Sequence, residues 1–184
     1  MKGSPKRVTP VNFWIKYKEK VPENIKGLIY DQYYSKETMY VYCDMSMKPG
    51  YTTMAISCSY IKEGTVIVKH QYIYPPEESF KKNIYGELKA IIFALSNYKK
   101  YIGSCKSMVI YSDVFNIEKI LIKEITFKKS KSLKIVQDEL INLYKVSGNK
   151  INSKCIEIKY LTEELKRYNP FYKSAHNAAR ELFK

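Results

Sequence analysis

Three apolar runs of alternating polarity lie close together between residues 39 and 74, and the brevity of what joins them is the tightest constraint on the fold. Met39-Tyr40-Val41-Tyr42-Cys43 leads into Asp44, Thr52 to Tyr60 reads TTMAISCSY, and Thr65 to Tyr74 reads TVIVKHQYIY. A period of two predicts strands. Lys48-Pro49-Gly50 and Lys62-Glu63-Gly64 are turn signals, too short for anything but antiparallel connections, so the segment is an antiparallel meander. Pro75 and Pro76 stop it. From Glu77 to Tyr101 the apolar residues Ile84, Leu88, Ile91, Ile92 and Leu95 recur at helical spacing and predict one long helix. Ser107 to Ser112 is then a fourth strand, made parallel to its neighbour by the helical crossover. A short helix over Val114 to Lys123, a helix from Ser132 to Val146, a fifth strand over Lys154 to Leu161 and a terminal helix over Ser174 to Lys184 complete the chain. The expected fold class is α/β: an antiparallel meander of three strands, then parallel strands, flanked by helices.

Three carboxylates stand out against this frame. Asp44 and Asp113 each end a strand-like apolar run, and Glu87 lies in the helical stretch beside its apolar stripe. A carboxylate is costly to bury unless it is paired or metal-bound, so three aimed at one sheet edge point to a cation. Each acid alone reads equally as a solvated helix-face or strand-end residue.

The sequence around each acid carries a further signal. The Asp44 block is DMSMKPGYTTMAISCSY, the Glu87 block NIYGELKAIIFAL, the Asp113 block VIYSDVFNI, and the chain closes on HNAARELF. In order and spacing these resemble the type 1 ribonuclease H family, with its D-G-S-x-x-x-P-G strand, N-x-x-x-E-L-x-A helix, V-x-I-Y-T-D-S strand end and H-N-x-A-D-x-L-A block, over about residues 39–184. The resemblance implies a ribonuclease H-like fold with a mixed five-stranded sheet. It implies catalytic, metal-holding roles for Asp44, Glu87 and Asp113, with Mg²⁺ or Mn²⁺ as cofactor, and hydrolysis of the RNA strand of RNA-DNA hybrids. It also implies that Asn83 follows the ribose and phosphate of the hybrid, and that the lysine-rich segment holding Lys128, Lys129 and Lys131 grips the DNA strand. Met45 replaces the glycine after the first aspartate, Val114 the serine after the third, and Ile84 the second asparagine of the helix motif. Arg180 stands where the family carries a fourth metal-binding aspartate; Glu181, Glu163, Glu164 and Glu157 are candidate substitutes. The alternatives are a catalytically weakened or inactive domain that binds nucleic acid or a protein, and a related nuclease for DNA or structured RNA. His176 resembles the family's mobile histidine, or simply begins a helix.

Composition agrees with a polyanionic partner. The 184 residues carry 32 Lys and Arg against 18 Asp and Glu, a net charge of +14, more than solubility asks for. No stretch is long and apolar enough to span a bilayer, so no membrane partner is expected. Cys43, Cys58, Cys105 and Cys155 lack zinc spacing, and the first two read as core thiols. With no signal-peptide core after Met1, the expected location is the cytoplasm. Residues 1–36 read as a basic, aromatic N-terminal extension to a domain over 37–184, its aromatics either packing on that domain or touching nucleic acid.

Overall fold

A computed structural model describes residues 11–15, 21–48, 50, 52–148 and 155–184. The basic start of the chain, Lys16 and Tyr17 of the aromatic segment, Pro49 of the first turn and Lys154 before the last strand lie outside the described residues. Five strands, β1 (Thr38–Met47), β2 (Met54–Lys62), β3 (Thr65–Ile73), β4 (Ser107–Ser112) and β5 (Cys155–Tyr160), form one sheet in the order β3-β2-β1-β4-β5. The first three pair antiparallel, while β4 and β5 run parallel to β1. This is the mixed sheet of a ribonuclease H-like fold.

Period-two alternation gives the sheet two apolar faces. Met39, Val41, Cys43 and Met45 point to one side, where they pack with α2 (Asn83–Asn97) and α4 (Lys131–Gly148). Tyr40 and Tyr42 point to the other, which α1 (Glu23–Tyr34), α5 (Glu163–Tyr168) and α6 (Pro170–Glu181) cover. A short α3 (Ile117–Leu121) follows β4.

The long helix expected over Glu77 to Tyr101 is divided. Glu77–Ser79 form a 3-10 turn, Lys82 is extended, and α2 begins at Asn83. The cause is docking: Glu78 Oε1 accepts from the backbone N–H of Ser132 at 2.5 Å and Ser79 Oγ lies 2.6 Å from Ser132 Oγ, which binds this turn to the start of α4. The expected terminal helix starts four residues early. Asn169 caps it, its Oδ1 accepting from the N–H groups of Phe171 and Tyr172 at 2.8 and 3.0 Å, with Pro170 in the first turn. α5, not expected from the sequence, is capped by Thr162.

The described part of the N-terminal segment packs on the sheet. Ile25, Ile29 and Trp14 are buried with Tyr42, Ile61, Leu161 and Phe171. Trp14 Nε1 donates to the Tyr168 carbonyl at 2.8 Å, and Tyr42 Oη donates to Gln32 Oε1 at 2.6 Å inside this layer.

Candidate active site

The parallel register of β1 and β4 ends at Tyr42 opposite Tyr111. Two residues further along the chain from each come Asp44, still in β1, and Asp113, the first residue past β4, where the two strands part. It is also the switch point of the sheet, between the antiparallel and the parallel neighbours of β1, where α/β folds open a crevice. Asp44 lies inside β1, opposite Ser57, and is only 3% exposed.

Glu87 comes to this point from α2, and Gly86 is what lets the helix approach. A Cβ at Gly86 would stand 2.5 Å from Met45 Cε and 3.2 Å from Met54 Sδ. Met45, the bulky residue after the first aspartate, thus fits because α2 carries no side chain opposite it. Oε2 of Glu87 is inaccessible and lacks a hydrogen-bond partner among the described residues. Burial, and then the charges of Asp44 and Asp113, hold the Glu87 carboxyl well above the usual carboxylate range, against an opposing pull from Lys166.

Three more side chains complete the cluster: Lys166 and Tyr172, which the motifs did not assign, and His176, which opens the closing motif. Lys166 Nζ, on α5, lies 2.5 Å from Asp113 Oδ1 and 2.8 Å from Glu163 Oε1. Desolvation works against its charge, but the hydrogen bonds and charges of these two carboxylates prevail and raise its pKa. From α6, Tyr172 Oη donates to Asp44 Oδ1 at 3.1 Å, and His176 Nδ1 lies 2.9 Å from Asp44 Oδ2. The hydrogen bond to Asp44 raises the His176 pKa, desolvation opposes it, and Asp44's charge adds to the rise while Arg180 subtracts. Burial, then Asp44, pushes the Tyr172 phenol up. Tyr172 and His176 are four residues apart on one helix, hence on one face.

Arg180 is one turn beyond His176 and lines an open groove of about 660 Å³ with Ser46, Lys48, Asn177 and Glu181. Among the described residues, the hydrogen bonds that α6 makes with Asp44 come from Tyr172 and His176, while the Arg180 charge acts on His176. Of the candidate substitutes, Glu163 is tied to Lys166 and Glu157 to Lys159, while Glu181 shares the Arg180 groove.

Among the described residues, no group of three His, Cys, Asp or Glu side chains is gathered tightly enough to hold a metal ion as it stands. The donors themselves suit one. Three carboxylates, one with an unpartnered buried oxygen, are the hard ligands that Mg²⁺ and Mn²⁺ take. In the structure, the Lys166 ammonium brings positive charge to the cluster, and His176 hydrogen-bonds Asp44, which raises the imidazole pKa.

Asn83, exposed at the first position of α2, is one helical turn before Glu87 and so on its side of the helix. Lys128, Lys129 and Lys131 are exposed where the chain enters α4. Lys128 borders a pocket of about 310 Å³ with Lys123, Phe127 and Lys134. Lys82 Nζ donates to Ser130 Oγ at 3.0 Å, which joins this lysine segment to the start of α2.

No family model matches the sequence, and no curated protein matches it significantly. Solved structures do resemble the fold. RNase H1 from the halophilic archaeon Halobacterium salinarum NRC-1 superposes with a TM-score of 0.55 at 15% identity, covering 77% of this chain and 99% of that one. The N-terminal RNase H domain of a Mycobacterium tuberculosis protein gives 0.54 at 13% identity, covering 81% and 100%. LC11-RNase H1, in complex with an RNA/DNA hybrid, gives 0.55 at 13%, covering 79% and 99%. At these identities the likeness is one of fold, and the chain has the ribonuclease H-like fold.

Proposed function

We propose that the protein is a divalent-metal-dependent endoribonuclease that hydrolyses the RNA strand of RNA-DNA hybrids. The observation that carries this reading is the convergence of Asp44, Glu87 and Asp113 from three places in the fold, with a buried Glu87 oxygen that has no hydrogen-bond partner among the described residues. Such an expensive arrangement is retained where a cation is to be held. Asp44, Glu87 and Asp113 would hold Mg²⁺ or Mn²⁺, which supplies an activated water and neutralises the leaving oxygen. Tyr172 and His176 fix both oxygens of Asp44, so that carboxylate is oriented before substrate arrives. Asn83 offers a donor and an acceptor to the 2′-hydroxyl that marks the RNA strand. The lysines at 128, 129 and 131 neutralise phosphates without reading sequence. The resemblance to a hybrid-bound RNase H1 supports this direction through the fold.

A second reading is a nucleic-acid-binding domain with weakened catalysis. It is favoured by the Lys166–Asp113 ion pair and the His176–Asp44 hydrogen bond, which already engage two of the acids.

A strand-resolved assay separates the two. With either ion, the wild type is expected to cut a labelled RNA strand annealed to DNA, and to spare the DNA strand. Asp44→Asn and Asp113→Asn are expected to fold normally and lose the cutting. A wild type that binds hybrids and cuts none supports the binding domain.

A further inference from the structure

The loop after Asp113 carries an aromatic ring that the folding of the chain leaves in water. Val114 and Ile117 are buried at 1% and 0% exposure, but Phe115 between them is 71% exposed. Asn116 takes a left-handed conformation, φ 56°, which turns the chain back into α3 and leaves Phe115 at the outer corner. Fully burying a Phe side chain is worth about 1.5–3 kcal/mol, so this ring, two residues from a candidate catalytic acid, forgoes most of that contribution.

The ring is nonetheless built into the site. It meets Tyr160, the last residue of β5, edge to face, with centroids 5.6 Å apart and planes at 86°. Lys166 Nζ lies 5.9 Å from the centroid of Tyr160 and is the same ammonium that pairs with Asp113. Phe115, Tyr160, Lys166 and Asp113 therefore form one continuous path from an exposed aromatic face to a carboxylate.

We propose that Phe115, backed by Tyr160, is a stacking platform for one unpaired nucleobase of the strand whose phosphate is processed at Asp113. The preferred ligand is then a hybrid with a single-stranded RNA stretch beside the paired one. The inference rests on the reading of the carboxylate cluster as a nucleic-acid site. Aromatic side chains stack on any base because every base has a π-face. In a continuous duplex those faces are covered by neighbouring pairs, whereas an unpaired base offers them. The net charge of +14 suits the polyanion that would bring the base there. A single exposed ring backed by Tyr160, which itself lies under the Lys166 ammonium, is too small for the apolar core of a protein interface.

The test is fluorescence anisotropy on the full chain, with Ca²⁺ replacing Mg²⁺ to suppress cutting, using a blunt RNA-DNA hybrid and the same hybrid with a six-nucleotide RNA tail. Phe115→Ala is expected to weaken binding of the tailed hybrid about tenfold, in the range of one lost base stack, and to leave the blunt hybrid within about twofold. Phe115→Trp is expected to restore it, and 5-iodouracil in the tail to cross-link to Phe115 or Tyr160. If Phe115→Ala weakens neither ligand, or both equally, the platform is wrong while the nuclease reading stands; the first result would leave the ring for a protein partner and the second for a duplex groove. A wild type that binds neither hybrid overturns both readings.

Discussion

His176 Nδ1 lies 2.9 Å from Asp44 Oδ2, which ties the last helix of the chain to the central strand of its sheet at the candidate active site. With Tyr172 on the other oxygen, a carboxylate only 3% exposed has both oxygens engaged by one helix face. The charged form of His176 is therefore favoured in the folded protein.

Stability in the absence of divalent ions is expected to fall as pH rises. Both relevant groups have folded pKa values above their ordinary ones, 4.5 for Glu87 and 6.5 for His176. Each binds its proton more tightly when folded, so its contribution is fully present below the ordinary value and is lost as pH climbs through the raised one. Urea midpoints measured with EDTA should decline from about pH 4.5 upward. Glu87→Gln should remove the part of the decline that begins near the carboxylate range, and His176→Gln the part that begins near pH 6.5. A midpoint that climbs steadily across this range contradicts the assignment.

Lys166→Met is expected to tighten binding of Mn²⁺, on the order of tenfold, because it removes an ammonium that competes for Asp113 at a partly buried place. Electron paramagnetic resonance titration of free Mn²⁺ reads this directly. An unchanged affinity would mean that Lys166 and the ion do not share the acid.

Binding to hybrids is expected to weaken with salt, with a slope of about −0.9 per neutralised phosphate. Replacing Lys128, Lys129 and Lys131 together by alanine should reduce the slope by about two to three. An identical slope in the triple variant would return the segment to a solvated loop.

The strands were legible because each apolar alternation is local, and the three acids could be singled out as candidates because each sits in a short motif. What escaped was decided by contacts between distant residues. The break between Ser79 and Asn83 depends on Ser132, more than fifty residues away, and Lys166 reaches Asp113 only through the placement of α5. Two misses were local and readable. Thr162 followed by Glu163 and Glu164, and Asn169 followed by Pro170, are helix-start signals. Starting α6 at Pro170 puts Tyr172 and His176 on a common face, a relation that a helix starting at Ser174 hides. Gly86 likewise explains Met45 only once the helix and strand are seen in contact.

The N-terminal segment is expected to be required for stability. Trp14 is 8% exposed and donates to Tyr168 at 2.8 Å, so Trp14→Ala should cost about 3–5 kcal/mol. Removal of residues 1–36 would uncover Tyr42, Ile61 and Phe171 and cost more. Urea denaturation of both variants is the check, and a truncated chain as stable as the full one would contradict it.

The most direct measurement is a crystal structure of the wild type soaked in Mn²⁺, with anomalous scattering recorded at the manganese edge. The account predicts an anomalous peak in contact with Asp44 and with at least one of Glu87 and Asp113, and the Lys166 ammonium withdrawn from Asp113. At saturating Mn²⁺, no peak at these acids and Lys166 still on Asp113 would contradict the claim that the three carboxylates form a metal site.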